Sequence, residues 1–144
     1  MFIDKVSVKG TVHIYAFDGE FDGDFSKAIY HDQIKNLVVT TGKEYIASRM
    51  GSSPAAVMSH MALGGPVLPT APLLTDTELN NELGRVALSG AVATNNQVQY
   101  TAVFPAGTAT SATISEAGIF NASSGGSMLA RTTFTAYNKT AGTA

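Results

Sequence analysis

A chain of 144 residues is long enough for one domain that buries most of its apolar surface. Its 44% hydrophobic and 14% charged content belongs to a folded chain, not a disordered one. A net charge of −2 offers no basic surface for nucleic acid, and the absence of Cys removes disulfides, thiolate metal sites and cysteine nucleophiles. No stretch approaches the roughly 20 apolar residues of a membrane-spanning helix. The opening Met1-Phe2-Ile3-Asp4-Lys5 lacks the charged-then-apolar order of a secretory signal, so no signal-dependent export is expected.

Residues 6–17 alternate, with Val6, Val8, Val12, Ile14 and Ala16 on one side and Ser7, Lys9, Thr11, His13 and Tyr15 on the other. A period of two predicts a long strand with one buried face. Gly10 on the apolar side marks a bulge or a close backbone approach. The densest charge follows at 18–24. Read as a calcium loop, Asp18, Glu20, Asp22 and Gly23 fall at positions one, three, five and six, with Asp24 adjoining. Position twelve, where a bidentate Glu is needed, is Ile29. The other reading is an acidic hairpin loop built on two Asp-Gly turns and pinned by Phe21 and Phe25.

Residues 30–39, with Ile34, Leu37, Val38 and Val39, predict a return strand. Thr41 and Glu44 stand at capping-box spacing before a helix to about Met50, with Tyr45, Ile46 and Met50 toward the core and Gly51 and Pro54 closing it. Thr41-Gly42-Lys43 is not a phosphate loop, because Leu37 and Glu44 occupy the places of the required Gly and Ser or Thr. A strand is expected over 55–63, then a Pro- and Gly-rich connection over 64–72. In that connection Val67 and Leu68, with Leu73 and Leu74 just beyond it, would cover the core edge or dock on a neighbouring subunit. Thr75 and Glu78 repeat the capping-box spacing and predict a second short helix with Leu79 and Leu83 on one face, ended by Gly84.

Strands are expected over 85–93 and, after the Asn95-Asn96 turn, over 97–104, with Val98, Tyr100, Ala102 and Phe104 on one side. Pro105-Ala106-Gly107 breaks the run. Two more strands, 112–121 and 128–137, flank the Gly-rich turn at 122–127. The whole predicts a mainly β, antiparallel, sandwich-like single domain with two short helices. Residues 1–35 form an N-terminal strand and acidic loop, a candidate docking element, packed as one domain with a β-rich core over 36–144.

Reactive chemistry is hard to find. His13, His31 and His60 are scattered, and neither a nucleophile elbow nor a His-x-x-x-His pair is present. Glu116 stands out as a lone carboxylate in a neutral strand. The expected role is a structural ion pair with Arg85 or Arg131 beside a bulge at Gly118, in preference to catalysis, because no partner acid or base accompanies it. No enzyme activity is expected. Nor is any cofactor, apart from calcium at Asp18, Glu20, Asp22 and Asp24 if that loop is a metal site.

The order of several motifs resembles small virion structural proteins of tailed bacteriophages, the tail-fibre and tail-associated proteins. The matching pieces are Asn36-Leu37-Val38-Val39 with Thr41-Gly42-Lys43 and the helix behind it, Met61-Ala62-Leu63-Gly64, the segment from Thr75 through Arg85, and residues 98–104. The fullest match is Ile114-Ser115-Glu116-Ala117-Gly118-Ile119-Phe120-Asn121 followed by Met128-Leu129-Ala130-Arg131. The resemblance covers about 36–138. It implies a non-enzymatic building block of the virion, self-associating and contacting other virion proteins, with no nucleic-acid or membrane partner. Its place would be tail-fibre attachment, baseplate, collar or neck; the alternatives are head decoration or a host-glycan-binding module using Tyr15, Tyr30 and Tyr100. Such proteins tend to continue into a further strand after the region of Asn138. Its absence here would leave an open edge beside 128–137, with Tyr137 as a contact.

Overall fold

A computed structural model describes residues 1, 7–65, 69–110 and 112–144. Val67 and Leu68, two of the expected contact residues, and Val6 of the first strand lie outside them. The fold is mainly β, and its strand pairings are antiparallel. Strands β1 (Gly10–Ala16), β2 (Tyr30–Val38), β3 (His60–Gly64) and β4 (Glu82–Ala87) join β7 (Ala112–Phe120) and β8 (Met128–Lys139) in one sheet ordered β1-β2-β8-β7-β3-β4. Strands β5 (Gly90–Thr94) and β6 (Gln97–Thr101) pair only with each other.

The first hairpin follows the expected alternation from Gly10 onward, but Val8, expected on the buried face, precedes β1 and is exposed. β1 and β2 pair from Gly10 opposite Asn36 to Ala16 opposite Tyr30. Gly10 marks neither a bulge nor a backbone approach: it pairs in register with Asn36, whose side chain occupies the space a Cβ would need, with Cγ at 2.7 Å. The intervening loop turns at Gly19 and Gly23, at φ of 79° and 96°, which is the left-handed region that glycine enters freely. β2 runs through position 35 and continues onto β8 at Leu37 and Val38, so one strand joins the N-terminal hairpin to the larger sheet.

The helix α1 (Thr40–Met50) forms where expected, but not by the expected cap. Val39 is its N-cap and makes no side-chain cap bond, while the Thr41 hydroxyl donates to Met128 O at 2.9 Å. Its contact face is Gly42, Tyr45 and Ile46, and Met50 at the frayed end is 79% exposed instead of facing the core. The second helix does not form. The chain turns at Leu74 and Thr75 and runs irregularly to Asn81, where Glu116 takes the Asn80 and Asn81 amides, while Asp76 reaches back to accept from Leu73 N. A helix of two turns has little intrinsic stability to set against such bonds.

The strand expected over 55–63 is confined to β3. The strand expected over 85–93 is split, since Leu88 N donates to Ser59 O and Ser89 N to Thr101 O, which turns the chain out of the main sheet. Strand β6 stops at Thr101; of its expected apolar side Phe104 is buried in the core, Ala102 packs against it, and Val98 is exposed. The bulge expected at Gly118 lies elsewhere. Gly118 pairs regularly with Arg131, whereas the register shifts between Ile114 and Glu116 and again between Ile119 and Phe120, so that β8 carries extra residues near Thr135 and at Leu129. These extra residues are how the twelve residues of β8 run beside the nine of β7.

Two apolar clusters form the core. Val39, Ala62, Leu79, Phe120 and Met128 make one, and Leu63, Phe104, Ile114, Ala117 and Phe134 the other, with Ile14, Ile34, Met61 and Tyr137 packed against the second. Strand β8 is interior, between β2 and β7, not beside an open edge. The segment after it returns to the loop following β1: Phe17 and Ala144 exchange backbone hydrogen bonds, and Gly19 N donates to Gly142 O at 2.7 Å.

Candidate functional site

The most charged cluster of the interior is organised on Glu116. β7 and β8 place Glu116 and Arg131 on one face, and both side chains are 0% exposed. Arg131 Nη2 and Nε donate to Glu116 Oε2 at 2.7 and 3.0 Å. The remaining guanidinium donors reach Asp76 Oδ2 at 2.8 Å and Asn80 Oδ1 at 2.7 Å. Asn80 Oδ1 also accepts from the amide and hydroxyl of Thr70, and Asn81 Nδ2 donates to Gly65 O. Of the two expected partners, Arg131 is the one used. Arg85 binds Glu82, lies 3.7 Å over the Phe120 ring and donates to the Ala122 and Gly125 carbonyls of the β7–β8 turn. Every oxygen of Glu116 is spent on fastening the connection 65–81 to the sheet. Glu116 and Arg131 thus form a buried, hydrogen-bonded clamp, with Asp76 at its partly exposed rim.

Leu73 and Leu74, on the outer side of that clamp, are exposed at 58% and 47%. Tyr137 is half-buried, its ring 4.7 Å from that of Tyr30. The structure therefore leaves the two leucines at the surface and takes Tyr137 largely into packing.

The acidic loop is organised by local bonds. Asp24 accepts from Ser26 N and Ser26 Oγ to cap a single 3-10 turn (Phe25–Lys27), and Asp22 accepts from Asp24 N and pairs with Lys27. The hydrogen bond from Lys27, then that from the Asp24 amide, holds the Asp22 carboxyl below the usual range. Among the described residues no three His, Cys, Asp or Glu side chains stand together as a metal site. Behind the loop, His31 stacks on Tyr15 at 4.3 Å, Phe25 meets Tyr15 edge-on at 4.9 Å, and Phe21 closes on Phe17 at 4.6 Å. His13 continues the row, its Nδ1 lying 3.3 Å from His31 Nε2. These rings stack along the β1–β2 hairpin, Phe17 buried while His13, His31 and Phe25 stay exposed. Of the tyrosines considered for sugar stacking, Tyr15 and Tyr30 are used in such contacts, and Tyr100 is half-buried near Tyr45 and Arg49.

Lys139 is buried, and among the described residues its ammonium pairs with no carboxylate, donating instead to Pro105 O and Thr143 O. Burial pushes it below the ordinary lysine range, with Glu20 opposing. Because the folded pKa lies below the unfolded value of 10.5, the unfolded chain binds more protons in that window, and stability rises with pH there. Urea denaturation of wild type and Lys139→Met, compared as pH is raised toward 10.5, should show the difference moving in favour of wild type. A pH-independent difference would count against a buried charge.

Pattern reading expected strands on either side of the Asn95-Asn96 turn but missed that β5 and β6 stand apart from the main sheet. The hairpin they form is joined to the main sheet by no ladder, and Val92 on one face and Val98 on the other are 59% and 53% exposed. Residues 86–115 contain no Asp, Glu, Lys or Arg, a signal available in the sequence itself. Charges are the usual device that blunts exposed strand edges, and this hairpin has none. No family model, curated protein or solved structure matches the chain.

Proposed function

We propose that this protein is a non-enzymatic structural component of a tailed phage particle, assembling through protein–protein contacts at a tail-fibre attachment, baseplate, collar or neck position. In this reading it is a single antiparallel β-sandwich-like domain in which the N-terminal hairpin and its loop form one docking element. The observation that carries assembly is the charge-free β5–β6 hairpin, which exposes apolar side chains on both faces and two unblunted edges. The phage context rests on the resemblance over 114–121 and 128–131, where Glu116 and Arg131 are also the residues that clamp the fold. Engagement of the Tyr15 and Tyr30 rings by neighbouring side chains favours this reading over a sugar-stacking module.

Mass spectrometry of purified particles, followed by imaging of the labelled chain, tests it. The chain should be present at a fixed copy number and at one position in every particle. A chain absent from assembled particles would sink the proposal.

A further inference from the structure

We infer that two copies of this chain pair antiparallel along the outer edge of β6, about a two-fold axis at Gln99, to form a continuous sheet β5-β6-β6-β5. The inference rests on the assembly reading and names the partner as a second copy. An isolated two-stranded hairpin is marginal in water, and three or more strands are needed for independent stability. The β5–β6 pair has no third strand within the described residues.

The hairpin register says which groups are free. Thr94 pairs with Gln97 across the two-residue turn, so Gln97, Gln99 and Thr101 direct their backbone groups toward β5. Val98 and Tyr100 direct theirs outward. In a two-fold pairing centred on Gln99, Val98 and Tyr100 of opposite copies exchange both of their hydrogen bonds, and the two Gln99 residues meet as a non-bonded pair. A two-fold axis sets each side chain against one from the same strand, so a strand carrying a single charge at its centre would meet itself with repulsion. Strand β6 carries no charge and opposes Val98 to Tyr100, a β-branched and aromatic pair of the favourable kind. Ala91, Ala93, Val98 and Tyr100 share one hairpin face, and the pairing extends that apolar face across four strands. The edge of β5 offers less, since it begins with Gly90 and holds only Ala and Val at the centre.

The chain has no cysteine, so single-cysteine variants report the register cleanly. Gln99→Cys should oxidise to a covalent dimer, because the central non-bonded pair brings Cα atoms to about 4.5 Å, within disulfide reach. Gln97→Cys alone should not, its two copies lying about 13 Å apart at strand rise. Mixed with Thr101→Cys it should cross-link, since those positions face each other. Wild type should sediment at twice 15.0 kDa and Val98→Pro at 15.0 kDa. That proline removes an outward donor and leaves the β5–β6 ladder intact, which an unchanged circular dichroism spectrum and melting curve would verify. A monomeric wild type, cross-linking at 97 alone but not at 99, or a Val98→Pro dimer would overturn the pairing. Any of these results with the chain still found in particles refutes the two-fold edge alone, whereas absence from particles refutes the assembly reading.

Discussion

Arg131→Met is expected to destabilise the protein by about 3–5 kcal/mol, the cost of leaving a buried carboxylate without its partner. For a chain of this length that corresponds to a fall in Tm on the order of 10 °C. The loss extends beyond one ion pair. Arg131 binds Glu116, Asp76 and Asn80 together, so its removal also takes the side-chain ties of Asp76 and Asn80 away from the sheet. Glu116→Gln is the sharper variant because it keeps the shape. Glu116 Oε1 accepts from Asn81 N at 2.9 Å and Oε2 accepts from Asn80 N at 3.0 Å and from Arg131. An amide turns one of those acceptors into a donor facing a donor, and a buried unsatisfied group costs about 1–3 kcal/mol. Urea denaturation should rank Arg131→Met and Glu116→Gln well below wild type, with the exposed Glu44→Gln within about 0.5 kcal/mol. Glu116→Gln matching wild type in stability while failing in assembly would move Glu116 from clamp to contact residue.

Much of this clamp was legible in the sequence. A lone carboxylate inside a neutral strand needs a buried partner, and the sequence offered Arg85 or Arg131 without choosing between them. Strands β7 and β8 and the Asp-Gly turns followed equally from alternation and from residues suited to positive φ. The second helix misled because Thr75 and Glu78 satisfy a helix-start pattern, yet Asp76 between them is drawn to Arg131 and Glu116 takes the amides beyond. Local spacing cannot report a carboxylate that arrives from a strand 36 residues away. Alternation over 97–104 likewise announced a strand without naming its neighbour, so the detachment of β5–β6 was invisible to periodicity. The missing charges over 86–115 were visible and spoke of the same edge. Finally, the extra residues of β8 follow from pairing with a shorter strand, a property of two segments and not of either one.

Gly42→Ala is expected to destabilise by about 1–3 kcal/mol even though Ala favours a helix interior by up to about 1 kcal/mol. Gly42 is the buried residue of α1, and a Cβ there would stand 2.7 Å from the carbonyl carbon of Leu129 and 2.9 Å from its Cα, with the carbonyl oxygen nearer still. Those are backbone atoms of β8, so no rotamer change relieves the overlap and the helix must move as a body. Moving it strains the bonds that seat its first turn, Val39 N to Leu129 O at 3.2 Å and Thr41 Oγ1 to Met128 O at 2.9 Å. Those bonds lie beside Met128 in the first core cluster, so the displacement is felt in packing as well as in hydrogen bonding. Lys43→Ala, one position on and exposed, tests propensity without contact and should fall within about 0.5 kcal/mol of wild type. Equal stability of the two alanine variants would mean that α1 is held by its own turns. A loss confined to Gly42→Ala would mean that the close approach of helix to strand holds it, with Tyr45 of the same face presented toward Tyr100 of the hairpin.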